Sequence, residues 1–162
     1  MSEKIKVKIA DYKMSSAPDI LVSHGLGSCV GISLYDLETK IGALAHILLP
    51  STTSFKDNEH DGKYADRAVK TMFQAMIAKG CTKEKIVAKV TGGAAMFQNN
   101  FNVNGQKLVG ERNVEAVIEE LELLCIEMVA SDTGGNHGRT IELDLENGEM
   151  SIKSLRHGNI VI

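Results

Sequence analysis

Aromatic side chains are scarce: 162 residues hold three Tyr, four Phe and no Trp. The core must therefore be aliphatic, and few rings are available to build a stacked pocket or interface. Pro (two) and Gly (fifteen) are too few for a linker or low-complexity chain. Cationic surplus is also missing. Eighteen Lys and Arg against 21 Asp and Glu leave a net charge of −3 and a pI of about 6.0. That removes the basic footprint of a phosphate-backbone binder, so no nucleic acid partner is expected. Cys29, Cys81 and Cys125 are odd in number, widely spaced and without a CxxC pair. This argues against a disulfide framework and a zinc knuckle. The longest nearly apolar run, 41–50, is too short to span a bilayer and contains His46. Met1-Ser2-Glu3-Lys4-Ile5-Lys6 lacks the apolar run of a signal peptide. The expectation is one cytoplasmic domain over 1–162, with free thiols, no metal, no cofactor and no direct membrane insertion.

What is present is patterned. Ile5, Val7 and Ile9 alternate with Lys4, Lys6 and Lys8, the period of a half-buried edge strand. Residues 15–19 break it. Ile20-Leu21-Val22 reads as a short strand, Gly25-Leu26-Gly27 as a turn, and 29–35 and 40–49 as two more strands. The polar stretch 51–62 reads as a loop, a candidate rim of the cleft near His46. Apolar residues at helical spacing predict helices over 61–79, capped by Asp61 and ended by Gly80, and over 113–124. A strand follows each helix, at 86–90 and 126–130. A last hairpin, 140–145 with 149–155, is predicted to turn at Asn147-Gly148. About seven or eight strands and two helices result. The first strands come without helices between them, so the fold class is α+β, with mixed or antiparallel sheet layers flanked by two main helices.

The chemistry concentrates at Gly25-Leu26-Gly27-Ser28-Cys29. A dinucleotide fingerprint fails, because Val30 stands where the third glycine belongs and a strand follows, not a helix. Two readings remain. Cys29 is a small buried hydrophobe after a glycine turn, or it is a nucleophile with backbone N–H groups around Gly27 and Ser28 as oxyanion donors. A register argument bears on the choice. If 36–39 is a four-residue loop closed by Tyr35 opposite Lys40, the ladder sets Cys29 directly against His46, with Cβ atoms about 4.5–5.5 Å apart on one face. A one-residue slip would put them on opposite faces. Facing a thiol, an imidazole lowers its pKa or takes its proton. Ser23, at the end of the preceding strand, is the candidate to orient that imidazole, with His24 as the weaker alternative.

Gly25 to Val30 resembles the CheD family of chemoreceptor glutamine deamidases, and so do Ala45-His46 with Leu48-Leu49-Pro50 and Gly62-Lys63-Tyr64-Ala65-Asp66. Gly92-Gly93-Ala94 with Met96-Phe97, Gly110-Glu111-Arg112-Asn113-Val114, and Asp132-Thr133-Gly134-Gly135-Asn136 with Gly138-Arg139 continue the resemblance in the family's order. It spans nearly the whole chain. It implies a nucleophile at Cys29, a base at His46 and, where the family has threonine, Ser23 as third member. The methyl is lost and the hydroxyl kept, so the role should survive with less rotamer restraint. The implied activity is hydrolysis of receptor glutamine side-chain amides to glutamate and ammonia through a thioester, with methylesterase activity as a side reaction. The implied partners are the cytoplasmic helices of methyl-accepting chemotaxis receptors and the phosphatase CheC, which it would bind and stimulate. The alternative is a mainly non-catalytic regulatory partner of CheC and receptors. The glycine pairs at 92–93 and 134–135 are read chiefly as packing devices, and Asn136 and Arg139 as substrate contacts. Cys81 and Cys125 are read as buried bystanders, which leaves a redox-sensing thiol the weaker reading. The scattered methionines are read as aliphatic filler. His60, His137 and His157 lack the spacing of metal ligands.

Overall fold

The computed structural model describes residues 1–52, 61–96 and 107–162. Within them the chain forms ten strands, two α-helices and one 3-10 turn, Lys83–Lys85. One sheet takes the order β1 (Lys4–Lys6), β3 (Ile20–Leu26), β8 (Arg139–Asp144), β9 (Met150–Ser154), β10 (Gly158–Val161). The other takes β2 (Asp11–Ser16), β5 (Ile41–Ile47), β4 (Val30–Asp36), β6 (Ile86–Gly92), β7 (Glu127–Thr133). β1 runs parallel to β3 and β6 parallel to β7, and the other pairings are antiparallel, so both sheets are mixed. This is the expected α+β class. Among the described residues no helix is long and apolar enough to cross a membrane.

Side-chain alternation along the central strand β4 makes three layers. Val30, Ile32 and Leu34 point to one side and pack with Ala43, Ala45 and Ile47 of β5 beneath the helices. There they meet Ala68, Val69, Met72 and Met76 of α1 (Ala65–Ala78) and Val117 and Leu121 of α2 (Val109–Leu123). On the other side Tyr35 and Leu44 pack with Leu21, Ile141, Leu143 and Ile152 of the first sheet. Every β4 residue is buried, as a strand covered on both faces must be.

Several elements differ from the expected ones. β2 and β10 are additions to the expected set, since Asp11–Ser16 reads as polar and each is an edge strand with one partner. β1 ends at Lys6, and Ile9, expected in it, is 58% exposed. β3 runs through the supposed turn to Leu26, with an irregularity after Ser23 that Gly25 (φ +71°) accommodates. α1 begins at Ala65; its N-cap position is Tyr64, and Asp61 ion-pairs with Arg67 at 2.8 Å and does not cap. α2 begins at Val109, earlier than the apolar stripe suggests. The last hairpin is wider than a two-residue turn: Leu143 pairs with Met150, and the Gly148 N–H reaches back to the Asp144 carbonyl.

Candidate functional site

The β4–β5 hairpin decides where the imidazole goes. Asp36, almost wholly buried, accepts the N–H groups of Glu38 (2.9 Å) and Thr39 (3.2 Å) on its carboxylate. This Asx-type turn holds Asp36 in the ladder opposite Ile41. The register is therefore two residues from the expected one: His46 pairs with Gly31, and Val30 with Ile47. An even shift keeps every face, so the same-side relation of Cys29 and His46 survives while direct opposition does not. Cys29 precedes β4 by one residue, packs in the layer between the sheets, and stands diagonal to His46, a relation of about 7–8 Å along such a ladder. Gly31 opens the space between them. A Cβ there would come within 2.5 Å of Ile141 Cδ1 from the opposing sheet.

Ser23 comes from that opposing sheet. It is fully buried on β3, and its Oγ lies 2.8 Å from His46 Nδ1 and 2.8 Å from the Val7 carbonyl. A carbonyl only accepts, so the single hydroxyl proton goes to Val7 and Ser23 Oγ accepts from His46 Nδ1–H. The tautomer follows: Nε2 carries the free lone pair. Nε2 is buried and has no hydrogen-bond partner among the described residues. The Thr91 hydroxyl, on the strand flanking Gly31 from the other side, is likewise buried without a partner among them.

The thiol and the imidazole both rest uncharged. Burial lowers the His46 pKa to about 4. Burial also raises the Cys29 thiol, with its own backbone N–H pulling the other way. Near neutral pH the pair is thiol and neutral imidazole, not a preformed ion pair.

The segment carrying the thiol is anchored at three successive carbonyls. Gly27 O accepts the Ala94 N–H at 2.9 Å, Ser28 O accepts Asn113 Nδ2 at 2.9 Å, and Cys29 O accepts the Gly93 N–H at 2.8 Å. Gly92, with φ +103°, sits so close beneath Cys29 that a Cβ would collide with the Cys29 carbonyl oxygen.

The residues matched by the model of the family described as CheD chemotactic sensory transduction run from 48 to 154. The chain belongs to the CheD family. The probable chemoreceptor glutamine deamidase CheD of Syntrophomonas wolfei is 44% identical over 162 residues, covering all of both chains. The protein of the same name from Lachnoclostridium phytofermentans is 45% identical over 155 residues, 96% of each chain. That from Pyrococcus abyssi is 41% identical, covering 99% of this chain and 98% of its own. Among solved structures, the C-terminal domain of CNFy from Yersinia pseudotuberculosis aligns at a TM-score of 0.45 and 8% identity, over 98% of this chain and 60% of that one.

Other expected positions in this CheD-family chain are redistributed. His24 is exposed while Ser23 is buried, so it does not share the buried site. Arg139 is 3% exposed and is held by Asp132 (3.1 Å) and the Gly134 carbonyl (3.0 Å), which makes it a structural tie and not a free substrate contact. Asn136 is exposed. Cys81 is buried beside the Thr39 hydroxyl, whereas Cys125 is exposed, against expectation. Met72, Met76 and Met150 are core residues, but Met96 and Met128 are partly exposed. His60 and most of the 51–62 loop lie outside the described residues. Two participants escape sequence reasoning. Val7 acts through a backbone carbonyl, which no side-chain pattern reveals. Asn113 is readable in principle: it is a polar residue on the buried stripe that continues to Val117 and Leu121.

Proposed function

We propose that this protein is a cysteine-dependent chemoreceptor glutamine deamidase. The observation that carries the reading is the Val7 carbonyl–Ser23 hydroxyl–His46 Nδ1 chain, which leaves a buried Nε2, unpaired among the described residues, on the face shared with a buried thiol. The names of its relatives supply the substrate, a glutamine of a chemoreceptor. Cys29 Sγ attacks the side-chain amide carbon as His46 Nε2 takes the thiol proton. Backbone N–H groups of the 27–29 segment receive the developing oxyanion. The C–N bond breaks, and His46 passes its proton to the departing ammonia. Water then gives a proton to Nε2 and its oxygen to the acyl carbon, the thioester breaks, and the proton returns to sulfur. The products are glutamate and ammonia, and no external oxidant or cofactor enters the balance. A receptor methyl ester would follow the same path with methanol leaving.

A neutral resting pair suits this reaction, because the thiol is deprotonated only as it attacks, and stray electrophiles meet a poor nucleophile. Receptor helices and the phosphatase CheC are the proposed partners, and the cytoplasm the proposed compartment; the family resemblance supports both. The test is the intact mass of a methyl-accepting receptor's cytoplasmic fragment after incubation with wild type and Cys29→Ala. A gain of about one mass unit per modified glutamine is expected with wild type only. An equal gain with Cys29→Ala would overturn the reading.

A further inference from the structure

Asn113 does no chemistry in the deamidation steps, yet it is a fully buried polar side chain in the first turns of a helix. Its Nδ2 reaches two carbonyl oxygens, Ser28 O at 2.9 Å and Leu48 O at 3.1 Å. Both partners are pure acceptors, so the nitrogen must face them and both of its protons are used. Ser28 immediately precedes the candidate nucleophile. Leu48 lies just past the end of β5, the strand that carries His46. One amide thus joins the start of the thiol strand to the end of the imidazole strand, from a third element.

The geometry points to Asn113 as a positioning residue of the deamidation reaction: by holding the Ser28 carbonyl it aims the Cys29 N–H at the oxyanion of the acyl-transfer transition state. The only cis peptide among the described residues is Ala17–Pro18, so the Ser28–Cys29 bond is trans and planar. In a trans peptide the C=O and the following N–H point in opposite directions. With the Ser28 carbonyl turned toward α2, the Cys29 N–H must turn away from α2. The Cys29 side chain packs in the layer between the sheets, also on the side away from α2, so the N–H is turned to the side on which an acyl oxygen would form after attack. A donor aimed before the substrate arrives costs no reorganisation during the reaction. The same side chain holds the Leu48 carbonyl, so one amide also ties the thiol segment to the end of the imidazole strand.

The inference rests on Cys29 being the nucleophile, and its test separates the two claims. Ammonia release from a receptor cytoplasmic fragment is measured for wild type, Cys29→Ala and Asn113→Asp. In parallel, the rate of Cys29 alkylation by iodoacetamide is followed on a Cys81→Ala, Cys125→Ala background. Asn113→Asp keeps the shape but replaces the donor nitrogen by an acceptor. Alkylation at sulfur needs no oxyanion donor, whereas acyl transfer does. We expect kcat to fall by about 10- to 100-fold with KM and the alkylation rate within about threefold of wild type. Wild-type kcat in Asn113→Asp, or alkylation and deamidation falling together, would overturn the inference. If the Asp variant does not fold by circular dichroism, Asn113→Ala makes the same comparison without added charge. Failure of both to fold would make Asn113 part of the framework and count against a positioning role. An active Cys29→Ala removes the nucleophile reading and this inference with it. An inactive Cys29→Ala beside a fully active Asn113→Asp removes the inference alone.

Discussion

The two faces of the β2-β5-β4-β6-β7 sheet are built on opposite rules. Toward the helices, Val30, Ile32, Leu34, Ala43, Ala45 and Ile47 meet α1 and α2 in an aliphatic layer dense with Ala, Val and Met. Toward the other sheet, the same strands carry His46 and Thr91 among Leu44, Tyr35 and Cys29, and Ser23 reaches across from β3. The first layer takes aliphatic side chains from the sheet, and the buried polar groups Asn113 and Glu120 come to it from α2. The second buries polar atoms, each of which is costly unless paired, and leaves His46 Nε2 and Thr91 Oγ1 unpaired among the described residues. The main packing layer and the candidate site thus lie one strand's thickness apart. A strand's alternation allows this, because neighbouring residues in sequence belong to different layers.

Four tests would break or sharpen that contrast. The largest effect belongs to the inter-sheet layer: His46→Ala should lower deamidation by about three orders of magnitude. Its circular dichroism should stay native. Loss of folding in step with activity would erase the distinction between the layers. Next is Met72→Ala on the helix side, a fully buried residue of α1. It should cost about 2–5 kcal/mol in urea unfolding, with kcat per folded molecule unchanged.

A smaller effect is expected at Ser23. Ser23→Ala deprives His46 Nδ1–H of its acceptor and frees the ring, so kcat should fall by about 10- to 100-fold. Ser23→Thr keeps the hydroxyl and should retain activity. A Thr variant as impaired as Ala would show that the hydroxyl is not what matters.

The smallest effect is on pH dependence. Burial sets folded His46 near 4, against 6.5 for an ordinary imidazole. Between those values the unfolded chain binds a proton that the folded chain refuses, so His46 makes stability rise with pH across that window and fall as pH drops through it. His46→Gln should flatten this limb in urea titrations. For wild type, kcat/KM should hold from pH 7 down to 5 and fall only near 4, because the base stays neutral. A fall centred near 6.5 would place His46 in a wetter setting than the inter-sheet layer.

Periodicity and turn chemistry carry much of the fold. The alternation in 29–35 and 41–47 and the helical stripes of α1 and α2 are legible because burial on a defined face leaves a repeating mark. β2 and β10 leave little mark, since an edge strand is chosen by the neighbour it pairs with. At the site, glycine spacing and the family motifs single out Cys29, His46 and Ser23 as candidates. The ladder offset differs from the expected one, because a buried Asp36 carboxylate at the turn is as much a register device as loop length. Cys125 departs from expectation for a related reason. The apolar stripe runs on to Leu124, which packs on the core, and Cys125 just past the helix turns outward at φ +54°, a place set by chain direction rather than by pattern.

By itself the sequence determined the class of the fold, the aliphatic character of its core, the face that Cys29 and His46 share, and the family. These depend on composition, period and local motif, which need no knowledge of distant neighbours. Only the tertiary structure decided the protonated nitrogen of His46, the resting charge of the pair and the two carbonyls that Asn113 holds. Each depends on an atom contributed from far along the chain: the Val7 carbonyl through Ser23, the desolvating layer of the second sheet, and the carbonyls of Ser28 and Leu48. A proton's place is set by the partners around it, and those partners become neighbours only when the two sheets and the helix close on one another.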